Sequence, residues 1–140
     1  RYAFFHLHIQ LLHLEEHRDL KEKIYRRYEE AFKDIPVKMN PYLEYTKPNF
    51  WLSCMLINED CKVSPMTVME ELAKANVEAR PIWKPMHMQP LFENSDFVSA
   101  NDKPVCEDIF ARGLCLPSDI KMTEEEQQIV ISVIKSCFEG

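Results

Sequence analysis

The segment at residues 80–90, Arg-Pro-Ile-Trp-Lys-Pro-Met-His-Met-Gln-Pro, constrains the fold more than any other part of this sequence. Its three prolines exclude a regular helix, because each lacks an amide donor and restricts the residue before it. An extended, irregular path of this kind can present side chains outward on a stiff loop. The candidates for binding a ligand are Arg80, Trp83, Lys84 and His87. Loops held by a scaffold often carry function, although prolines that only close a strand and a Trp83 that fills a core would give the same pattern.

Composition bounds the class of protein. A chain of 140 residues with 46% hydrophobic and 29% charged residues predicts one soluble domain with a single core. The net charge of −6 disfavours nucleic acid as a partner, because that partner needs a basic face. No apolar run is as long as a membrane span, so no membrane partner is expected. The five cysteines lack closely spaced pairs and favour a reducing, cytoplasmic location.

Glycine is scarce, with only Gly113 and Gly140 in the whole chain. A glycine-rich loop that cradles phosphate, or a dinucleotide-binding fingerprint, needs several glycines at short spacing. The sequence therefore predicts that this chain binds no phosphate-bearing cofactor by such a loop.

Hydrophobic periodicity predicts a long helix over residues 7–35, ended by Pro36. Strands are expected at residues 50–57, 77–82 and 114–116, and further helices at residues 64–76, 102–112 and from residue 124 onward. Residues 37–48 are predicted to be a turn-rich connector. The result is an α+β domain with a small three-stranded sheet, divided into the long helix (residues 1–36) and the α+β part (residues 37–140).

Two helices carry apolar stripes that predict their inward faces. The second helix is expected to bury Met69, Leu72 and Ala73, and the last helix Ile129, Val130, Val133, Ile134 and Cys137. The first helix is longer than a domain of this size needs. Part of it is therefore expected to pack on something else, for example a second copy of the chain.

A zinc site is an alternative suggested by His13-Leu-Glu-Glu-His17. Two imidazoles four residues apart share a helix face and can share a metal, with Glu16 as a base. The pattern is short, however, and lacks an evident third ligand. A helix with an exposed His13 and with His17 on the apolar stripe explains it without a metal, so no metal ligand is predicted.

Lys84 is also a conceivable Schiff-base lysine, because an amine beside an aromatic ring can be desolvated and activated. No carboxylate for a pyridine nitrogen and no phosphate loop lies nearby in the sequence. As a cationic contact to an anionic ligand, alongside Arg80, Lys84 fits its surroundings better. No pattern typical of a serine or cysteine nucleophile stands out, so no catalytic residue is predicted in this chain.

Three segments together resemble one family. They are residues 80–90, residues 110–118 (Phe-Ala-Arg-Gly-Leu-Cys-Leu-Pro-Ser) and residues 122–127 (Met-Thr-Glu-Glu-Glu-Gln). They are similar to the DegT/DnrJ/EryC1/StrS family of pyridoxal-phosphate-dependent nucleotide-sugar aminotransferases. The resemblance runs through almost the whole chain, and it is to the C-terminal, small domain of that family.

The resemblance implies a mainly antiparallel sheet and a chain without catalytic competence by itself. In the family, a large N-terminal domain holds pyridoxal phosphate and supplies the Schiff-base lysine, so this chain would hold no cofactor. The parent reaction transfers an amino group from an amino acid, commonly glutamate, to a keto-sugar nucleotide, usually in a homodimer. Carried over, Arg80 and Lys84 would meet phosphate charge, and Trp83 and His87 would line the sugar or base pocket.

One departure from the family is the bulky stretch at residues 4–9, Phe-Phe-His-Leu-His-Ile, where members usually have small residues and glycine. Bulky side chains prevent the close packing that small ones allow. The chain is therefore either a fragment of such an enzyme or a diverged stand-alone domain. A non-catalytic module that self-associates through its first helix is the alternative from another functional class.

Overall fold

The computed structural model describes residues 11–100 and 104–139. In these ranges the helices are α1 Leu14–Ala31, α2 Pro65–Lys74, α3 Val105–Arg112 and α4 Glu124–Ser136, and the strands are β1 Val37–Met39, β2 Ser53–Ile57, β3 Arg80–Pro81 and β4 Gly113–Leu116. The predicted α+β class with helices on a small antiparallel sheet is confirmed. The described part of the sheet has four strands rather than three, because β1 lies where a connector was expected.

The sheet order is β1-β2-β4-β3, and every neighbouring pair is antiparallel. Val37 lies opposite Ile57 in the first pair, and Met55 lies opposite Leu114 in the second. The strand β3 is only two residues long and includes Pro81, which has no amide to donate to a ladder. Such a proline is tolerated here because β3 is at the edge of the sheet.

Side-chain caps set where α2 and α4 begin, as the sequence predicted. The Ser64 hydroxyl accepts a hydrogen bond from the Thr67 amide at 3.1 Å, with Pro65 in the first turn of α2. In α4 the Thr123 hydroxyl accepts from the Glu126 amide at 3.1 Å, while the Glu126 carboxylate accepts from the Thr123 amide at 2.8 Å. This reciprocal arrangement satisfies amides that have no partner inside the helix.

The first helix ends at Ala31, earlier than the predicted residue 35. Its last turn closes with the Phe32 amide donating to the Tyr28 carbonyl at 3.0 Å. Ile35 precedes Pro36 and is therefore disfavoured in the helical conformation, which explains the shorter helix. Leu11 and Leu12 are also helical, with a turn at His13, and residues 7–10 of the predicted helix lie outside the described residues.

The core lies between one face of the sheet and the helices α1, α2 and α4. Its buried residues are Ile24, Tyr28, Phe32, Met55, Ile57, Val68, Leu72, Leu114, Leu116, Val130, Ile131 and Ile134. Two predicted inward residues are corrected, because Ala73 is exposed and Ile129 is 52% exposed. Ile131 is buried instead of Ile129. The face of α4 that packs on the core is therefore rotated about the helix axis relative to the predicted face.

Hydrogen bonds tie α1 to the rest of the domain. The Tyr25 hydroxyl donates to the Asn40 carbonyl at 2.8 Å, and the Tyr28 hydroxyl donates to the Pro117 carbonyl at 3.0 Å. The buried Gln127 amide donates to the Ile24 carbonyl at 2.9 Å, which joins α4 to α1. The helix is therefore part of the same core as the sheet.

The helix α3 contacts β2 and β4 and adds no fully buried residue to the core. Gly113 joins α3 to β4 with an ordinary φ of −96°. A Cβ at this position would lie 2.3 Å from the Ile109 carbonyl oxygen and 2.5 Å from Ile82 Cγ1. The glycine is therefore required by close approach and not by a left-handed backbone. No helix in the described ranges is long and apolar enough to cross a membrane.

Candidate functional site

The sheet face opposite the core carries a row of paired residues. Arg80 on β3 lies opposite Cys115 on β4, which lies opposite Cys54 on β2. Residues paired across antiparallel strands project from the same face. This row therefore lies on the face away from Met55 and Leu114, both of which belong to the core.

A cavity of about 400 Å³ opens over this row. Its lining includes the two tryptophans of the chain, Trp51 and Trp83, together with Arg80, Glu78 and Cys115. The two indole rings have centroids 6.0 Å apart at an interplanar angle of 31°, and each residue is 63% exposed. The cavity thus combines aromatic surface with one cation and one carboxylate. We call this group of residues the tryptophan cavity.

The exposure of Trp51 results from the backbone at Phe50. Phe50 adopts a φ of 49°, a region that bulky residues rarely occupy. Its ring is buried, with its centroid 5.0 Å from that of Tyr25 and 5.5 Å from that of Tyr42. Asn49 supports the turn by accepting a hydrogen bond from the Trp51 amide at 3.0 Å. The predicted strand at residues 50–57 consequently begins only at Ser53, and Trp51 was not predicted as a site residue.

Arg80 holds an exposed ion pair with Glu78 at the mouth of the cavity. The Arg80 Nη2 lies 2.7 Å from Glu78 Oε1, and the two side chains are 77% and 74% exposed. Exposed pairs of this kind contribute about 0–1 kcal/mol. Arg80 can therefore leave Glu78 for an anionic ligand at little cost.

The other predicted residues of the segment lie apart from this cavity. Lys84 is exposed, next to Trp83 in the chain, but does not belong to the cavity lining. His87 turns toward α3, where its Nε2 lies 2.8 Å from Glu107 Oε1 and its ring stacks on Phe97 with centroids 3.6 Å apart. The His87 side chain is 17% exposed. His87 thus fastens the proline-rich segment to α3, and the structure brings together only Arg80 and Trp83 of the four.

His13, which precedes α1, and His17, in its first turns, do not form a recognisable metal centre. The His13 Nδ1 lies 2.8 Å from Glu16 Oε2, and this hydrogen bond lowers the pKa of the Glu16 carboxyl. The His13 and His17 rings are stacked with centroids 6.2 Å apart. Within the described ranges, no three His, Cys, Asp or Glu side chains converge on a possible metal position. The zinc interpretation therefore stays a hypothesis.

Comparison with known proteins supplies the family. The family model of the DegT/DnrJ/EryC1/StrS aminotransferases matches residues 6–135. This chain belongs to that family. The predicted resemblance is confirmed, and with it the relationship to pyridoxal-phosphate-dependent sugar aminotransferases.

Individual relatives agree with this assignment. EpsN of Bacillus subtilis, which is named as a predicted pyridoxal phosphate-dependent aminotransferase, is 41% identical over 131 residues, or 92% of this chain and 33% of that protein. GDP-perosamine synthase of Caulobacter vibrioides is 24% identical over 127 residues, covering 89% of this chain and 33% of that protein. The chain thus spans about a third of the length of the curated relatives it matches.

Solved structures share the fold. A DegT DnrJ EryC1 StrS aminotransferase from Brucella abortus superposes with a TM-score of 0.79 at 23% identity, covering 94% of this chain and 34% of that one. S. venezuelae DesV superposes with a TM-score of 0.82 at 16% identity, covering 96% of this chain and 35% of that one. At these identities the likeness establishes the fold alone.

The tryptophan cavity does not fit pyridoxal phosphate as a covalently held cofactor. That cofactor needs a lysine amine and an acidic partner for its ring nitrogen. No lysine belongs to the described lining, and its carboxylate Glu78 is already paired with Arg80. The indole rings of this cavity can stack on a flat or ring-shaped group, and Arg80 can attract an anion.

Proposed function

We propose that this chain is the small domain of a pyridoxal-phosphate-dependent sugar aminotransferase, and that the tryptophan cavity receives part of its nucleotide-sugar substrate. The amino group would pass from an amino acid, commonly glutamate, to a keto-sugar nucleotide. The cofactor and the catalytic lysine would belong to parts of the enzyme outside this chain, which would be inactive alone. The proposal includes a homodimer, which is usual in the family. It also includes a cytoplasmic location.

The observation that carries this proposal is the pairing of Trp51 and Trp83 beside Arg80 on a family member. Bases and sugars stack on aromatic rings, and base stacking contributes about 1–3 kcal/mol. A guanidinium binds phosphate through two parallel hydrogen bonds, which makes arginine suitable for a diphosphate. An aromatic wall next to one arginine thus matches the two chemical parts of a nucleotide sugar.

The remaining predicted residues would have supporting roles. Lys84 follows Trp83 directly and would add positive charge near the mouth of the cavity. His87 would meet a ligand only through Nδ1 or the free face of its ring, because Glu107 holds Nε2 and Phe97 covers the other face. Its hydrogen bond to Glu107 would mainly keep Trp83 and Arg80 in place.

A titration with uridine diphosphate tests the cavity directly. Because the only two tryptophans line the cavity, bound nucleotide should quench intrinsic fluorescence. Arg80→Gln should weaken binding by about 10- to 100-fold, since a charged hydrogen bond contributes about 1.5–3 kcal/mol. Lys74→Gln removes the same charge from an exposed site on α2 and should leave the affinity unchanged. Equal affinities for the two variants would contradict the proposal.

A chimera tests the role in the enzyme. The third of EpsN that matches this chain would be replaced by this chain, and glutamate-dependent amination of a keto-sugar nucleotide would be measured. We expect amino transfer by the chimera and a loss of it with Trp83→Ala. A folded chimera that holds its cofactor but transfers no amino group would refute the proposed function.

Self-association is a second candidate function, favoured by the surface of the first helical segment. Leu11, Leu12 and Leu14 are 62%, 70% and 56% exposed at one end of α1. Leu11 and Leu14 are three positions apart and therefore form a small apolar patch on one side of the helical segment. A second copy or the rest of the enzyme would cover it. Sedimentation of the chain distinguishes a second copy from the rest of the enzyme as the cover of this patch. A strict monomer at high concentration would exclude self-association through it.

A further inference from the structure

We propose that Cys54 and Cys115 form a reversible disulfide, a modification site beneath the tryptophan cavity. The two thiols lie directly opposite each other on β2 and β4, with their sulfurs 3.6 Å apart. The proposal concerns the thiols of this chain and stands independently of the proposed aminotransferase activity.

The backbone around Cys54 gives the pair a geometry suited to a disulfide. The Cys54 amide donates to Asn40 Oδ1 at 2.8 Å, and the Asn40 amide donates to the Cys54 carbonyl at 2.9 Å. The main-chain polar groups of Cys54 therefore point away from β4. In an antiparallel sheet this defines a non-hydrogen-bonded pair, whose Cα atoms are about 4.5 Å apart. Disulfides need Cα atoms about 4.4–6.8 Å apart, so the strands need not move.

The surroundings allow a small oxidant to reach both sulfurs. Cys115 lies in the lining of the tryptophan cavity. Cys54 lies in the lining of an adjoining pocket of about 230 Å³, which shares Trp51 and Trp83 with the first. The pair thus lies beneath two open pockets, even though Cys115 itself is 8% exposed.

The hydrogen bond between the thiols prepares one of them to react. It lowers the pKa of Cys115, whereas the same contact together with burial raises the pKa of Cys54. The thiolate is the nucleophilic form of cysteine, and the sulfur that accepts the hydrogen bond between the two thiols ionises more readily. The Cys137 thiol has a different partner, the Val133 carbonyl at 3.3 Å, and Cys106 is exposed.

Hydrogen peroxide is the oxidant that the proposal names. The thiolate of one cysteine of the pair attacks one peroxide oxygen, the O–O bond breaks, and the departing hydroxide takes a proton to become water. The resulting sulfenic acid is then attacked by the sulfur of the other cysteine, which loses its proton, and a second water leaves. Overall, two thiols and one peroxide give one disulfide and two waters. A dithiol such as dithiothreitol reverses the modification by exchange.

Mass spectrometry of the peroxide-treated chain tests the proposal. We expect a loss of about 2 Da, for two hydrogens removed, and a linked peptide pair containing Cys54 and Cys115. Three of the five cysteines should remain open to alkylation. The change should be absent in Cys54→Ser and in Cys115→Ser and present in the control Cys106→Ser.

Thermal unfolding of the unmodified sequence gives a second measurement that needs no variant. The disulfide would close a loop of about 60 residues and should raise Tm by about 5–10 °C, reversibly with dithiothreitol. The emission of Trp51 and Trp83 should change in parallel. Recovery of Cys54 and Cys115 as alkylated thiols, with oxidation confined to Cys106 or with dimers linked through Cys106, would overturn the proposal.

Discussion

Substitution of Gly113 by alanine tests how closely α3 lies on the sheet. Gly113 has a φ of −96° and a ψ of 149°, which alanine adopts readily. The loss of unfolded-state freedom would therefore stabilise the variant by about 0.4–1 kcal/mol. Against this, the new methyl group would lie 2.3 Å from the Ile109 carbonyl oxygen and 2.5 Å from Ile82 Cγ1.

The steric cost of the new methyl group determines whether the substitution stabilises or destabilises the chain. The Ile82 side chain can rotate, but the Ile109 oxygen is part of the helix backbone, so α3 must shift by about 1 Å to restore an ordinary contact distance. Overpacking of this kind costs about 1–3 kcal/mol. After subtraction of the entropic gain, Gly113→Ala should lower the free energy of unfolding by about 1–2 kcal/mol. Because α3 also holds His87 through Glu107, a shift of α3 should also displace the segment at residues 80–90 and change the shape of the tryptophan cavity.

Urea denaturation followed by circular dichroism measures this change. With a slope of about 1–3 kcal/mol per molar urea, the midpoint should fall by about 0.5–1 M. The matched control is Ala111→Ser, which adds one atom to an exposed position in the same turn and should change stability by less than about 0.5 kcal/mol. A Gly113→Ala midpoint equal to or above the original would refute the close approach.

The remaining predictions concern pH, a cap, a buried hydroxyl and the cavity. Burial raises the pKa of Tyr25 to about 12, so the folded chain keeps a proton that the unfolded chain loses above about pH 10. Burial raises the pKa of Tyr28 as well, so both tyrosines should lower the free energy of unfolding as the pH rises from about 10 to about 12, and a flat profile in denaturation measurements would contradict this. Thr123→Ala should cost about 1 kcal/mol in urea melts by removing the α4 cap, with the exposed Gln128→Ala as control. Tyr28→Phe should cost about 1 kcal/mol, because it leaves the Pro117 carbonyl without its donor; an unchanged melt would show that water replaces it. Glu78→Gln should tighten uridine diphosphate binding by about two- to fivefold, because it frees Arg80; weaker binding would mean that Arg80 is not the phosphate contact.

Local signals predicted most of the helices and the strands that a core needs. The caps at Ser64 and Thr123 fixed where α2 and α4 begin, because they act within a single turn. The strand β1 was not predicted because a segment of three residues next to prolines is too short to show an alternation of apolar and polar residues. It forms only by pairing with Ile57 and its neighbours. The buried face of α4 was misplaced for a similar reason. Ile129 and Ile131 are both apolar, and only the position of α2 and the sheet selects between them.

The candidate site was predictable where its residues are close in sequence. Arg80 and Trp83 stood out because prolines isolate them on one loop. Trp51 was missed because it stood within an apolar run that reads as a buried strand, and a left-handed Phe50 has no sequence signature of the kind that glycine or asparagine provides. The inward turn of His87 depends on Glu107, which comes 20 residues later in the chain.

The pairing of the strands explains why these features occur together. Arg80, Cys115 and Cys54 form one row across β3, β4 and β2. A slip of one residue between β2 and β4 would move Cys54 to the core face and Met55 to the open face. Burial of Met55, which is 1% exposed, therefore fixes the register that also brings the thiols together. The site and the thiol pair thus depend on the hydrophobic core beneath them, so a core substitution such as Met55→Ala should loosen both the thiol contact and the cavity above it.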